Sequence, residues 1–281
     1  MALPDVLLHL DAYPEPTPRP LIEAAVMMVK GLGGKVSALA VQVQFPVKTN
    51  RVADYLVGLS QLAQDEEARS HEAAARALEN FKAAAEAAGV FGGVALTKAS
   101  LYERADPAVA SARTHDLCLV PLGADPDAQR DVAQALVFES GRPVLLFGAQ
   151  SRVPSGPPDL AVVAWDGGRC AARAMADALP ILAAAKAVRV LTVTNDKPGA
   201  EASLGAEAVR HLATHGVAAT VATVDRAGRP IGEALDAYLA EAGADLLVMG
   251  AFGHSRLREF VLGGATAHVL NMPSVAVVLA H

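Results

Sequence analysis

A chain of 281 residues, 52% hydrophobic and 19% charged, has room for two packed domains and is too core-rich to be disordered. A formal net charge of −6 argues against nucleic acid as the main partner, and neither Cys118 nor Cys170 stands in a metal-ligand or CxxC spacing. No apolar run reaches bilayer-spanning length, and the opening "MALPDVLLHLDAY" lacks a basic n-region, so the expectation is a cytoplasmic protein without a membrane partner.

In chain order, "DVLLHLDAY" (5–13) is a near-continuous apolar strand in which His9 reads as a core histidine. The turn "DAYPEPTPRP" carries four alternating prolines. "GLGGKVS" (31–37) lacks a Walker ending and precedes a strand, so it reads as a helix stop plus a turn. A long amphipathic helix with an acidic, solvated face is expected within 55–89, where an unidentified protein partner has a surface to meet. "THDLCLVPLG" (114–123) is a strand with Cys118 as a small buried hydrophobe, and "RPVLLFG" (142–148) is another. "GAQSRVPSGPPDL" holds three prolines and two glycines in thirteen residues and reads as a linker.

Beyond it strand and helix alternate again. "DLAVVAW" is a strand, and "RCAARAMADALPILAAAK" is a helix that Pro180 ends or kinks. "VRVLTVTN" is a strand, followed by a helix stopping at Gly216 and the strand "AATVATVD". "PIGEALDAYLAEAG" is a helix with proline near its start and glycine at its end. The strand "DLLVMG", a glycine-rich stretch and the strand "SVAVVLA" complete the order.

The two halves repeat one another. "DVLLHLDAY" matches "DLAVVAWDGG", each with a second acid, Asp11 and Asp166; "THDLCLVPLG" matches "GADLLVMGAFG". The expected organisation is a domain at 1–150, a linker at 151–158 and a second domain at 159–281. Each is read as α/β, a five-stranded parallel sheet of order 3-2-1-4-5 with helices on both faces. In such a sheet a ligand sits between the first and fourth strands, where the order reverses. There "AWDGG" meets "MGAFG".

The stretch "MGAFGHSRLREFVLGGATAHVL" has Gly250 and Gly253 for tight turns, then Gly263 and Gly264 before a helix-like run. Free N–H groups at that helix start suit phosphate oxygens; the bland reading is a connecting loop without ligand. Asp166 suits a ribose or adenine amine, and equally a cap of the following helix. His254, Arg256 and Arg258 stand within reach of phosphates.

Gly250-x2-Gly253-x9-Gly263 resembles the G-x2-G-x9-G-(S/T) signature of the universal stress proteins, and the duplicated halves look like a tandem-domain member. The resemblance implies a Rossmann-like, adenine-nucleotide α-hydrolase-like fold, a stress-response regulatory role and ATP between the first-strand turn and the glycine loop. It places Ala164 and Asp166 on the adenine and ribose side and Val193 against adenine. Met249, Gly250, Gly253, His254, Gly263, Gly264, Ala265 and Thr266 then line the ribose and phosphates, with Mg²⁺ as a possible companion of ATP. The family's hydroxyl is Gly264 here, and one lost bond to a charged phosphate weakens binding by about 1.5–3 kcal/mol. The first half has no glycine pair after Gly123, and Asp125, Asp127 and Asp131 repel phosphate, so no nucleotide is expected there by this mode.

No GxSxG elbow or paired-carboxylate arrangement stands out, which favours binding over catalysis; a slow ATPase and a nucleotide-free scaffold remain alternatives. His211 and His215 are spaced i, i+4 without the Glu of HExxH and read as a solvated face, not a metal site. The closing strand is an apolar edge, so 275–279 is expected to pair with 144–147, making one chain a pseudo-dimer; a homodimer is the further possibility.

Overall fold

A computed structural model describes residues 5–46, 58–123, 126–195, 204–251, 264–271 and 273–281. The first half runs β1 (Asp5–Leu10), α1 (Arg19–Gly31), β2 (Lys35–Gln44), α2 (Leu59–Ala88) and β3 (Phe91–Ser100). It continues with α3 (Asp106–Ala112), β4 (Leu117–Leu122), α4 (Pro126–Glu139) and β5 (Val144–Gly148). The second runs β6 (Ala161–Ala164), α5 (Arg169–Asp177), α6 (Leu179–Ala184), β7 (Val188–Thr194), α7 (Leu204–Thr214) and β8 (Ala219–Asp225). It ends with α8 (Ile231–Ala242), β9 (Leu246–Gly250), α9 (Gly264–Asn271) and β10 (Ala276–Ala280).

Each half has the expected order 3-2-1-4-5, but the two sheets are one. The described strands form a ten-stranded sheet, β3-β2-β1-β4-β5-β10-β9-β6-β7-β8. Within a half all pairs are parallel; β5 and β10 join the halves antiparallel, Leu145 opposite Val278. Helices cover both faces, so β4 is buried at every position and reads as an unbroken apolar run. Both hydrophobic layers cross the junction: one unites Phe81 and Phe147 with Met175 and Val278, the other Leu136 and Leu146 with Leu247 and Val277.

Local punctuation acts as expected. The helix breaks at Ala178, before Pro180, into α5 and α6. Gly33 has φ +74° between α1 and β2, the turn that "GLGG" called for. Cys118 is fully buried, and that burial pushes its thiol well above the usual range. Residues 151–158 hold no helix, yet Arg152 bridges to Val275 and its N–H donates to Ser274 O at 2.9 Å. The repeat is visible in matching anchors: the Asp116 carboxylate accepts from Asp5 N–H at 3.2 Å, and that of Asp245 from Asp159 N–H at 2.9 Å.

Candidate functional site

β6 and β9 lie side by side in the second half, with Ala164 directly opposite Met249, and β7 flanks β6. The strand order reverses between β6 and β9, so their carboxyl ends open the crevice where α/β sheets hold ligands. Ala164 and Val193 are half-buried there, and Asp166 is exposed on the following turn. Asp166 Oδ1 accepts from Gly168 N–H at 2.8 Å, bracing a turn in which Gly167 has φ +71°. Gly168 is the residue just before α5, so this bond braces the turn that leads into the helix.

Two of the expected contact residues face away from a ligand. Met249 is 5% exposed and packs in the core, leaving its backbone as the part available at the crevice. A Cβ on Gly250 would lie 2.5 Å from Cys170 C and 2.8 Å from Cys170 Cβ. Gly250 is therefore what lets the start of α5 rest on the end of β9; its bareness serves packing. α9 begins at Gly264, which is exposed and whose Cβ would have ordinary contact, 3.6 Å from Ile231 Cγ2. Ala265 is half-buried and Thr266 is buried, its hydroxyl drawn into the protein. Gly253, His254, Gly263, Arg256 and Arg258 lie outside the described residues.

Sequence reading missed what holds α9. Asp236 on α8 bonds His268 on α9, and its other oxygen accepts from Ser274 Oγ at 2.6 Å. A Cβ on Gly232 would come within 2.6 Å of His268 Cβ, so this glycine of α8 makes room for the imidazole. Only knowledge that α8 and α9 are neighbours connects an Asp, a His and a Ser spread over 39 positions. His211 and His215 are exposed, their rings 4.8 Å apart, and no group of three or more metal-ligating side chains occurs among the described residues.

The first half repeats the crevice with other side chains. Strand registers place His9, Asp11 and Val41 where the second half has Ala164, Asp166 and Val193. His9 is 2% exposed and Asp11 6%, and His9 Nε2 lies 3.3 Å from Asp11 Oδ1. An imidazole thus stands where the second half has an alanine methyl. Asp131 is exposed and pairs with Arg104 at 3.5 Å; Asp125 and the side chain of Asp127 lie outside the described residues.

Residues 160–281 match the family model described as the universal stress protein family. The second half is thus similar in sequence to the universal stress protein family. A universal stress protein of Synechocystis sp. is 49% identical over 45 residues, a stretch that covers 16% of this chain and 16% of that protein. Among solved structures, a universal stress protein from Archaeoglobus fulgidus superimposes with TM-score 0.66 at 18% identity, covering 99% of this chain and 97% of the other. A protein of unknown function from Pseudomonas aeruginosa PAO1 gives TM-score 0.52 at 13% identity over 98% and 92%. These two likenesses establish the fold of the whole chain, including the first half that the family model does not reach. The half that matches the family model carries the glycine-rich stretch in its sequence, and the other half carries the same sheet with a histidine in the crevice.

Proposed function

We propose that the second half is a nucleotide-sensing regulatory domain that takes ATP or a related adenine nucleotide weakly, and that the chain acts in the cell's stress response by binding and not by catalysis. The observation that carries this reading is convergence. The half-buried Ala164 and Val193 and the exposed Asp166 flank one strand-order reversal, and the chain that leaves β9 there leads on to α9. Ala164 and Val193 offer apolar contact to a base, and Asp166 an acceptor for ribose hydroxyls while it braces its turn. The N–H groups at the start of α9 offer donors for phosphate. Gly264 adds an N–H but no hydroxyl, which is why the affinity is expected to be modest. Mg²⁺ would ride on the phosphates and water.

The test is direct. Purified protein should show a thermal shift in millimolar ATP–Mg²⁺, and Asp166→Ala should reduce it. Gly264→Ser has room for its side chain and should tighten ATP about tenfold, by restoring one bond to a charged group. A protein whose melting is indifferent to every adenine nucleotide, with or without the serine, is not a nucleotide sensor.

A further inference from the structure

The sheet that joins the halves ends in two edges. β5 and β10 pair with each other inside the chain, so the closing strand has no edge left for a second molecule. β3 and β8 are the outermost strands. Proteins blunt such edges by keeping them short or by setting charge or proline on them. β8 has seven residues, carries two threonines and ends on Asp225. β3 has ten, holds no proline, and bears no charge from Phe91 to Thr97. Val94 is 47% exposed and Leu96 41%, and Ala95 between them, on the other face, is exposed too. Neither face is covered at the middle of β3, and its outer backbone groups have no partner among the described residues.

The strand is complementary to itself. Turned about a two-fold axis at Ala95, it meets its own copy antiparallel. Val94 then faces Leu96 of the second copy, Leu96 faces Val94, and Gly93 faces Thr97. Opposite residues of an antiparallel pair share a face, so the four exposed apolar side chains cover one another. β2 shows which face. Val94, Leu96 and Lys98 stand in register with Ala38, Ala40 and Gln42, and Gln42 Oε1 lies 3.1 Å from His71 Nδ1 on α2. All three therefore point to the side that α2 covers. The same register sets the second copy's Lys98 opposite Gly92, level with the last turn of α2. That turn carries Glu86 and no basic residue, and a helix C-terminus favours a cation. Lys35 takes the Gly89 carbonyl at 2.9 Å, while Glu86 meets Lys82 at 3.9 Å. The two Lys98 side chains lie at opposite ends of the ladder and do not repel each other.

We propose that β3 is a self-association edge: two copies of the chain pair antiparallel about Ala95, and one sheet runs through both molecules. The contact repeats outside what β5 and β10 do inside, where they join the halves antiparallel. It leaves the two β2 strands three spacings apart, about 14 Å, which gives the two α2 helices room side by side. A two-fold contact uses up both β3 edges, so association stops at a dimer. The ladder is short and its apolar contact small beside a standard interface, so a Kd in the range of about 1–100 µM is expected. The surface lies in the first half and does not depend on nucleotide in the second.

The experiment is sedimentation velocity on the full chain without nucleotide, from about 1 to 200 µM. The parent should pass from monomer to dimer across that range and no further. Val94→Asp and Leu96→Lys, both at exposed positions, should each weaken the dimer about tenfold or more while keeping the parent's circular dichroism. Mixed in equal amounts, the two variants should pair again, because the register sets the new carboxylate of one opposite the new amine of the other. High salt should weaken that mixed dimer. A parent that stays monomeric throughout, a dimer that survives Leu96→Lys, or a mixture that stays apart would each overturn the proposal. So would growth beyond the dimer, the mark of β3 pairing head to tail with β8.

Discussion

Gly250 shows how one residue can carry two meanings in a sequence and one in a structure. Its spacing from Gly253 and Gly263 reads as a phosphate loop. In the fold its missing Cβ is filled by the backbone of Cys170 and Ala171, eighty positions earlier in the chain. No local pattern reveals that contact, because the neighbour arrives from another element. Gly250→Ala should therefore destabilise the protein by about 1–3 kcal/mol, since backbone must move to admit a methyl. Gly264→Ala, with ordinary contact only, should cost well under that in urea unfolding curves. A Gly250→Ala protein as stable as the parent would show that α5 does not rest on β9 as described. His9 was equally double-edged: its place in an apolar run identified it as buried, while its bond to Asp11 depends on how the turn after β1 folds back.

At the scale of elements, legibility followed solvent. Strands buried on both faces read as continuous apolar runs, and proline and glycine marked the helix ends, so β4, β6 and the α5–α6 break were all visible beforehand. The edge strands β3 and β8 are mostly exposed or half-buried and carry the weaker signal. What stayed hidden is how α9 is fastened, because Asp236, His268 and Ser274 make sense only when α8 and α9 are side by side. α9 is short, and isolated helices of that length are marginal in water, so tertiary contacts must hold it. Asp236→Ala removes the acceptor shared by His268 and Ser274. The expected result is faster amide hydrogen exchange in α9, with β6 and β9 unchanged, and a loss of about 1–2 kcal/mol in overall stability. Unaltered exchange in α9 would mean that packing against α4 and α8 suffices without the carboxylate. ATP binding should weaken in the same variant if the start of α9 holds phosphate.

For the whole molecule, duplication was legible from matched segments, and the apolar closing strand pointed to pairing between the halves. That the pairing turns two sheets into one, with both hydrophobic layers running through the junction, came from the structure alone. A continuous core has a thermodynamic consequence: neither half can unfold without exposing the other's apolar surface. The chain contains a single tryptophan, Trp165, on the turn after β6, so its fluorescence reports the second half while far-ultraviolet circular dichroism reports both. The two signals should give coincident urea transitions. Val278, fully buried opposite Leu145, is the place to break the coupling. Val278→Lys would bury an amine in the junction, which is costly whether the group stays charged or gives up its proton, and opening the β5–β10 seam relieves that cost. The variant should unfold with the fluorescence transition separated from, and at lower urea than, the loss of helix. Separate transitions in the unaltered chain would instead show two independent domains that merely touch.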